Sequence, residues 1–102
     1  MQEKRRHQRV AVQISVACTG PKGEVVEGVA VDLSVGGLYI QAPSAPPFGA
    51  EVSVSGAFPG GAGLKFPAVV RWTKPDGFGV QFGLLGARET HALAAIVQKG
   101  RA

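Results

Sequence analysis

The clearest indication of the fold is the segment Val10-Ala11-Val12-Gln13-Ile14-Ser15-Val16-Ala17-Cys18. Its even-numbered residues are apolar, and its odd-numbered residues are small or polar. A period of two is typical of a β-strand with one face in the core and the other in solvent. The stretch therefore predicts a long half-buried strand, with Cys18 as a small buried side chain near its end.

Five more short apolar segments follow this strand and are separated by turns. The chain has 15 Gly and 7 Pro spread along its length, which favours many turns between short strands. Residues 42–49 contain three of the prolines and are predicted to be a loop. Together with the first stretch, the segments predict six strands at residues 10–18, 24–31, 38–41, 52–55, 64–72 and 78–82.

The last part of the chain changes its period. Leu93, Ile96 and Val97 follow the helical spacing i, i+3, i+4, and Gly100 can end a helix. A helix with one apolar stripe needs a surface to pack on, and one end of a barrel provides it. The predicted fold is all-β with one C-terminal helix: an N-terminal basic arm at residues 1–9, a six-stranded antiparallel β-barrel at 10–84 and a helix at 85–99.

The inward positions of the predicted strands define a core. We expect both Phe66 and Trp72 to be core aromatics, because they fall on the apolar side of the fifth strand. The other predicted core residues are Val12, Ile14, Val16, Leu38, Ile40, Val52, Val54, Val70, Phe78, Val80 and Phe82.

Composition limits the chemistry of the chain. A length of 102 residues fits one domain. One Cys and two His are too few for a four-ligand zinc site built from these residues, so no metal is expected. The charged N-terminus and the lack of an apolar run of about 20 residues predict a cytoplasmic protein without membrane insertion.

The positive charge is concentrated in the arm. Residues 1–9 contain four basic side chains and Glu3, so they hold a net +3 of the chain's net +4. The remainder is therefore nearly neutral. A basic arm is suited to an anionic partner, although solvated basic tails are common.

Two short motifs carry the chemistry. The first is Arg5-Arg6-His7-Gln8-Arg9, with the spacing R-x-x-x-R. The second is Asp32-Leu33-Ser34-Val35-Gly36-Gly37, with the pattern D-x-S-x-x-G. Each alone has a plain structural interpretation: a solvated charge run for the first, and for the second a turn in which Gly supplies a positive φ.

Together and in this order, the motifs resemble those of the PilZ domain family. The segments Gly36-Gly37-Leu38-Tyr39-Ile40, Val69-Val70-Arg71-Trp72 and Gly77-Phe78-Gly79-Val80-Gln81-Phe82 are also similar to that family, so the resemblance covers residues 4–98. It implies a bacterial receptor with cyclic di-GMP as its ligand and no other cofactor. The implied ligand-binding residues are Arg5, Arg9, Asp32, Ser34, Gly37, Arg6 and Gly36.

The chemistry of these side chains suits that ligand. A guanidinium fork matches phosphate oxygens and can bond the O6 and N7 atoms of guanine, whereas lysine lacks the fork. A carboxylate such as Asp32 can accept from guanine N–H groups, Ser34 can donate or accept, and Gly37 lets the backbone approach a base. We expect Arg6 to add a phosphate contact and His7 to be exposed.

The resemblance also implies how a signal would leave the domain. We expect the arm to be mobile without ligand and to close over it, and the new arm position would act on an unidentified protein partner. The domain would act as a monomer or homodimer in motility, polysaccharide or virulence control.

The sequence bears on three other functions. A PilZ-type adaptor that binds protein but not nucleotide stays open as the alternative. A binder of DNA or RNA on a small barrel is disfavoured, because such grooves expose aromatic side chains for base stacking and most aromatics here occupy inward positions. An enzyme is disfavoured, because no acidic residue forms a recognisable motif with a reactive Ser, Cys or His.

Overall fold

The computed structural model describes residues 9–59 and 63–101. Six strands and one helix occupy this part of the chain: β1 (Val10–Thr19), β2 (Val25–Leu33), β3 (Gly37–Gln41), β4 (Glu51–Gly56), β5 (Phe66–Lys74), β6 (Gly77–Phe82) and α1 (Ala87–Arg101). The strands close into a barrel in the order β1-β2-β3-β6-β5-β4, and every neighbouring pair is antiparallel. The predicted fold class is confirmed.

The barrel interior is filled by the apolar side chains that alternate along the strands. Of the predicted core residues, eleven are buried and Val12 is partly buried against them. Cys18 is fully buried, as the first stretch predicts, and burial raises the pKa of its thiol to about 11. Phe58, which is not among the predicted core residues, also enters the core, with its ring centroid 4.8 Å from that of Phe66.

Three bulges interrupt the strict alternation. The register shifts on β1 between Ala11 and Ile14, on β2 between Ala30 and Asp32, and on β5 between Val70 and Trp72. A bulge inserts one extra residue, so the side chains beyond it change face. On β1 the extra residue lies at Val12 or Gln13, and Val12 is partly buried between the buried Val10 and Ile14.

Trp72 corrects one prediction. Its side chain is 49% exposed and lies outside the barrel, whereas Phe66 on the same strand is fully buried. Arg71 is the extra residue at the β5 bulge, because Val70 pairs with Val80 and Trp72 pairs with Gly79. The bulge turns the indole from the core face to the outer face.

Helix α1 packs against the barrel through its apolar stripe. Leu93 is fully buried, Ile96 belongs to the same core cluster, and the helix contacts β1. The helix begins at Ala87, two residues after the predicted start at residue 85, and continues through Gly100 to Arg101, so the prediction that Gly100 ends it was wrong. No helix in the described ranges has the length and apolarity needed to cross a membrane.

Candidate functional site

A row of outward-facing residues crosses four strands of the barrel. The pairings join Asp32 of β2 to Tyr39 of β3, Tyr39 to Gly79 of β6, and Gly79 to Trp72 of β5. Because paired residues in antiparallel strands point to the same face, their side chains share one outer surface. Arg9 joins this surface from the residue before β1.

The two sequence motifs meet in this surface. Arg9 Nη1 donates a hydrogen bond to Asp32 Oδ2 at 3.3 Å, and the pair forms a salt bridge with side chains that are 26% and 39% exposed. An ion pair this accessible contributes little to folding, roughly 0–1 kcal/mol. Both groups therefore remain available to a ligand. Arg5 and Arg6, the other predicted ligand residues of the arm, lie outside the described residues, as does His7.

The second motif forms a tight turn whose hydroxyl is already engaged. Ser34 is 4% exposed, and its Oγ accepts a hydrogen bond from the Gly36 amide at 3.0 Å. The Ser34 amide donates to the Gly37 carbonyl at 2.9 Å, and its Oγ makes a longer 3.5 Å bond to the same oxygen. The serine thus shapes the turn from within and presents only a small part of its surface outward.

Gly37 lacks a side chain for a reason that the sequence did not reveal. The positive-φ glycines among the described residues are Gly23, Gly49 and Gly63, so the plain interpretation of the motif as a turn with a positive-φ glycine does not hold. A Cβ at Gly37 would lie 2.2 Å from the Val80 carbonyl oxygen. The glycine therefore allows β3 to approach β6 closely at the start of the strand.

Gly79 has a similar role beneath the indole. A Cβ there would lie 2.4 Å from Cε3 of Trp72, so only glycine lets the indole lie against the sheet at this point. Trp72 is the residue of this surface that sequence reasoning missed. The signal that could have found it is the alternation of Gly with apolar residues in Gly77-Phe78-Gly79, which leaves an outward gap beside β5.

Two concavities flank Trp72 and Arg9, which line both. The first, here called the turn concavity, has a volume of about 500 Å³, and its lining includes Arg9, Ser34, Gly36, Gly37, Trp72 and Gln81. The second, the hairpin concavity, has a volume of about 490 Å³, and its lining includes Arg9, Asp32, Tyr39, Trp72, Lys74 and Asp76. The predicted residues Arg9, Asp32, Ser34, Gly36 and Gly37 are thus divided between two adjoining depressions.

Polar contacts organise the margins of the surface. Arg71 Nε donates to Gln81 Oε1 at 3.0 Å beside the turn concavity. Tyr39 Oη donates to Asp76 Oδ1 at 2.7 Å in the hairpin concavity, and Lys74 Nζ lies 5.6 Å from the centroid of the Tyr39 ring. Partial burial of the phenol, the hydrogen bond to Asp76 and the negative charge of that carboxylate raise the pKa of Tyr39 to about 12. No group of three or more metal-ligating side chains occurs in the described ranges.

A comparison with protein families agrees with these features, which are the closed barrel, the Arg9–Asp32 ion pair and the buried Ser34 of the turn. The model of the PilZ domain matches residues 3–99. The chain belongs to the PilZ family. PilZ domains are receptor and adaptor domains, and the family binds cyclic di-GMP. A search of curated protein sequences finds no match.

Solved PilZ structures share the fold at low sequence identity. The PilZ domain of YcgR from Escherichia coli, solved with c-di-GMP, has a TM-score of 0.78 at 13% identity, with 97% of this chain and 92% of that chain covered. The PilZ domain of CeSA from a cellulose-synthesizing bacterium has a TM-score of 0.74 at 19% identity and coverages of 93% and 99%. The Bacillus subtilis inhibitor of motility MotI/DgrA has a TM-score of 0.77 at 16% identity, and this chain covers 52% of it, about half its length.

Proposed function

We propose that this PilZ domain is a non-enzymatic cytoplasmic receptor for cyclic di-GMP, which it binds on the outer surface around Arg9, Asp32 and Trp72. The observation that carries the proposal is the 3.3 Å contact between Arg9 and Asp32, which joins the R-x-x-x-R and D-x-S-x-x-G motifs between two concavities. The cyclic di-GMP in the YcgR PilZ structure supports the same ligand class.

Each group on this surface has a role that fits the ligand. The guanidinium of Arg9, together with those of Arg5 and Arg6, would bind phosphate oxygens or the O6 and N7 edge of guanine. Asp32 would exchange part of its contact with Arg9 for guanine N–H donors. The exposed face of the Trp72 indole would stack on a base, a contact worth roughly 1–3 kcal/mol.

The turn would contribute through its shape and its backbone. Because the Ser34 hydroxyl is held by the Gly36 amide, Ser34 would act mainly by fixing the backbone of the turn at the edge of the ligand. Gly36 and Gly37 would leave that edge free of side chains, so a base or phosphate could approach the main chain.

The output would be a change in the arm. Arg9 is the first described residue and directly precedes β1, so a ligand that rearranges its ion pair would act on residues 1–9. The new arm position would be presented to a partner protein, and it would be seen as slower hydrogen exchange of residues 2–10 in the saturated protein.

Calorimetric titration of cyclic di-GMP against single variants tests the binding proposal. Arg9→Ala and Asp32→Ala should each weaken binding by about 2–5 kcal/mol, because each leaves a charged partner uncompensated in the complex. Arg9→Lys should also weaken binding, because lysine keeps the charge but lacks the planar fork. Arg88→Ala is the matched control, since Arg88 is exposed on α1 and lines neither concavity.

The outcomes separate the two functions that the sequence left open. Equal affinities for wild type, Arg9→Ala and Asp32→Ala would place the ligand elsewhere and overturn the proposal. Wild-type protein that does not bind at micromolar ligand would favour the adaptor that acts without nucleotide.

A further inference from the structure

The hairpin concavity contains groups that neither sequence motif accounts for. Arg9 and Asp32 belong to the two motifs, but Tyr39, Lys74 and Asp76, which also line it, do not. Lys74 is the last residue of β5 and pairs with Gly77, the first residue of β6, and Asp76 lies in the two-residue connection between them. This short hairpin fixes an ammonium donor and a carboxylate acceptor close together in the chain at one rim.

Tyr39 contacts both Lys74, the donor of this pair, and Asp76, the acceptor. Its hydroxyl donates to Asp76 Oδ1 at 2.7 Å, and its ring lies under the Lys74 ammonium at 5.6 Å. The hydrogen bond occupies one carboxylate oxygen and leaves the lone pairs of the other oxygen for a ligand. Because the phenol remains protonated at neutral pH, this arrangement persists under physiological conditions.

A donor beside an acceptor distinguishes one purine from the other. Guanine presents the O6 acceptor next to the N1–H and N2–H donors, so it matches an ammonium beside a carboxylate. Adenine presents an N6–H donor next to the N1 acceptor. In the same orientation, its donor would face the ammonium donor and its acceptor would face the carboxylate acceptor. The walls of the concavity include the rings of Trp72 and Tyr39, which suit a planar base.

We infer that the hairpin concavity is a guanine-selective pocket in which Lys74 donates to O6 and Asp76 accepts from the N1–H and N2–H groups of one base of the ligand. This inference rests on the proposed binding of cyclic di-GMP and assigns the choice of base to residues outside the two motifs. The motif residues that line the turn concavity, Arg9, Ser34, Gly36 and Gly37, would hold the phosphates and the other base there.

Paired titrations with cyclic di-GMP and cyclic di-AMP test the inference, with the weaker ligand measured by competition. The two ligands carry the same phosphates, so their affinity ratio reports base recognition alone. In Lys74→Met and Asp76→Asn, the preference for the guanine ligand should fall at least tenfold, through weaker binding of cyclic di-GMP. Lys22→Met is the matched control, because Lys22 is exposed in the turn between β1 and β2 and lines neither concavity.

The remaining outcomes of these titrations would overturn either this inference or the proposed function. An equal loss for both ligands in Lys74→Met would make Lys74 a phosphate contact, and an unchanged ratio would remove the pocket from base selection; either overturns the inference. Tyr39→Phe should reduce the preference less than Asp76→Asn, since it removes the positioning bond but keeps the carboxylate. Wild-type protein without affinity for cyclic di-GMP would overturn the proposed function as well, whereas wild-type binding with a normal ratio in both variants would overturn this inference alone.

Discussion

At the scale of single residues, the exposed position of Trp72 is the feature of the outer surface that differs from the prediction. Trp72 was predicted to be inside the barrel because the alternation on β5, counted from Phe66, places it on the core face. The bulge at Arg71 reverses the alternation over the last part of the strand. A bulge depends on the register of the neighbouring strand, and one segment read alone cannot reveal it. The sequence therefore predicted the motif residues of the site but not its exposed aromatic.

The two closely packed glycines of this surface should respond differently to alanine. Gly37→Ala places a methyl group against the backbone of β6, which cannot move without disturbing the barrel, and should cost about 2–3 kcal/mol of unfolding free energy. Gly79→Ala meets a side chain at the surface, so it should cost about 1 kcal/mol or less while displacing the indole.

Chemical denaturation and fluorescence can measure this contrast, because Trp72 is the only tryptophan of the chain. Gly79→Ala should shift the tryptophan emission and weaken cyclic di-GMP binding with near-normal stability. Gly37→Ala with wild-type stability would show that β3 and β6 are not tightly apposed at this point.

At the scale of elements, the strands were easier to predict than the segments between them. All six predicted strands exist, because alternation over several residues is a strong local signal. Phe58 was missed since it follows β4 in a stretch rich in glycine, and its packing against the Phe66 ring has no signal in the local sequence pattern. The end of α1 was also missed, because Gly100 lies within the helix.

Helix α1 should be an integral part of the barrel core. Leu93→Ala removes a side chain with no exposed surface and should reduce the unfolding free energy by about 2–5 kcal/mol. Leu84→Ala makes the same chemical change at a side chain that is 96% exposed and should change stability by less than about 0.5 kcal/mol. Equal effects in urea denaturation would mean that the helix does not seal the core.

For the whole molecule, the fold class and the family could be predicted from the sequence. The order of the strands in the barrel could not, because it does not follow from the pattern of single segments. Closure of the barrel in the order β1-β2-β3-β6-β5-β4 brings Asp32 and Trp72, 40 positions apart in the chain, into one surface. The resemblance to the PilZ family implied that Arg9 and Asp32 act together, and their ion pair agrees with that hypothesis. The positions of Tyr39, Lys74 and Asp76 depend on tertiary pairing and had no local signal.

The folded molecule as a whole should lose stability at alkaline pH. The pKa of Cys18 is raised from 9.0 to about 11 and that of Tyr39 from 10.0 to about 12, so the fold favours the neutral form of both groups. Between pH 9 and 11 the unfolded chain releases the thiol proton while the folded chain retains it, and the unfolding free energy falls as pH rises. The buried thiol alone should lower it by about 2–3 kcal/mol across this window.

Urea denaturation at intervals from pH 7 to 11 measures this dependence. Cys18→Ala should flatten the decline between pH 9 and 11 whatever its effect on stability at pH 7, and Tyr39→Phe should flatten the decline above pH 10. A wild-type profile that is level to pH 11 would contradict the assignment of the thiol to a sealed interior.

Closure of the sheet has a consequence for how other macromolecules can dock. Each of the six strands has a hydrogen-bonded neighbour on both sides over at least part of its length, so no strand presents a wholly open edge to which a foreign strand could be added. Side chains on the curved exterior therefore offer partners a larger surface than open backbone does, and self-templated fibre growth along a whole strand would first require a seam of the cylinder to come apart.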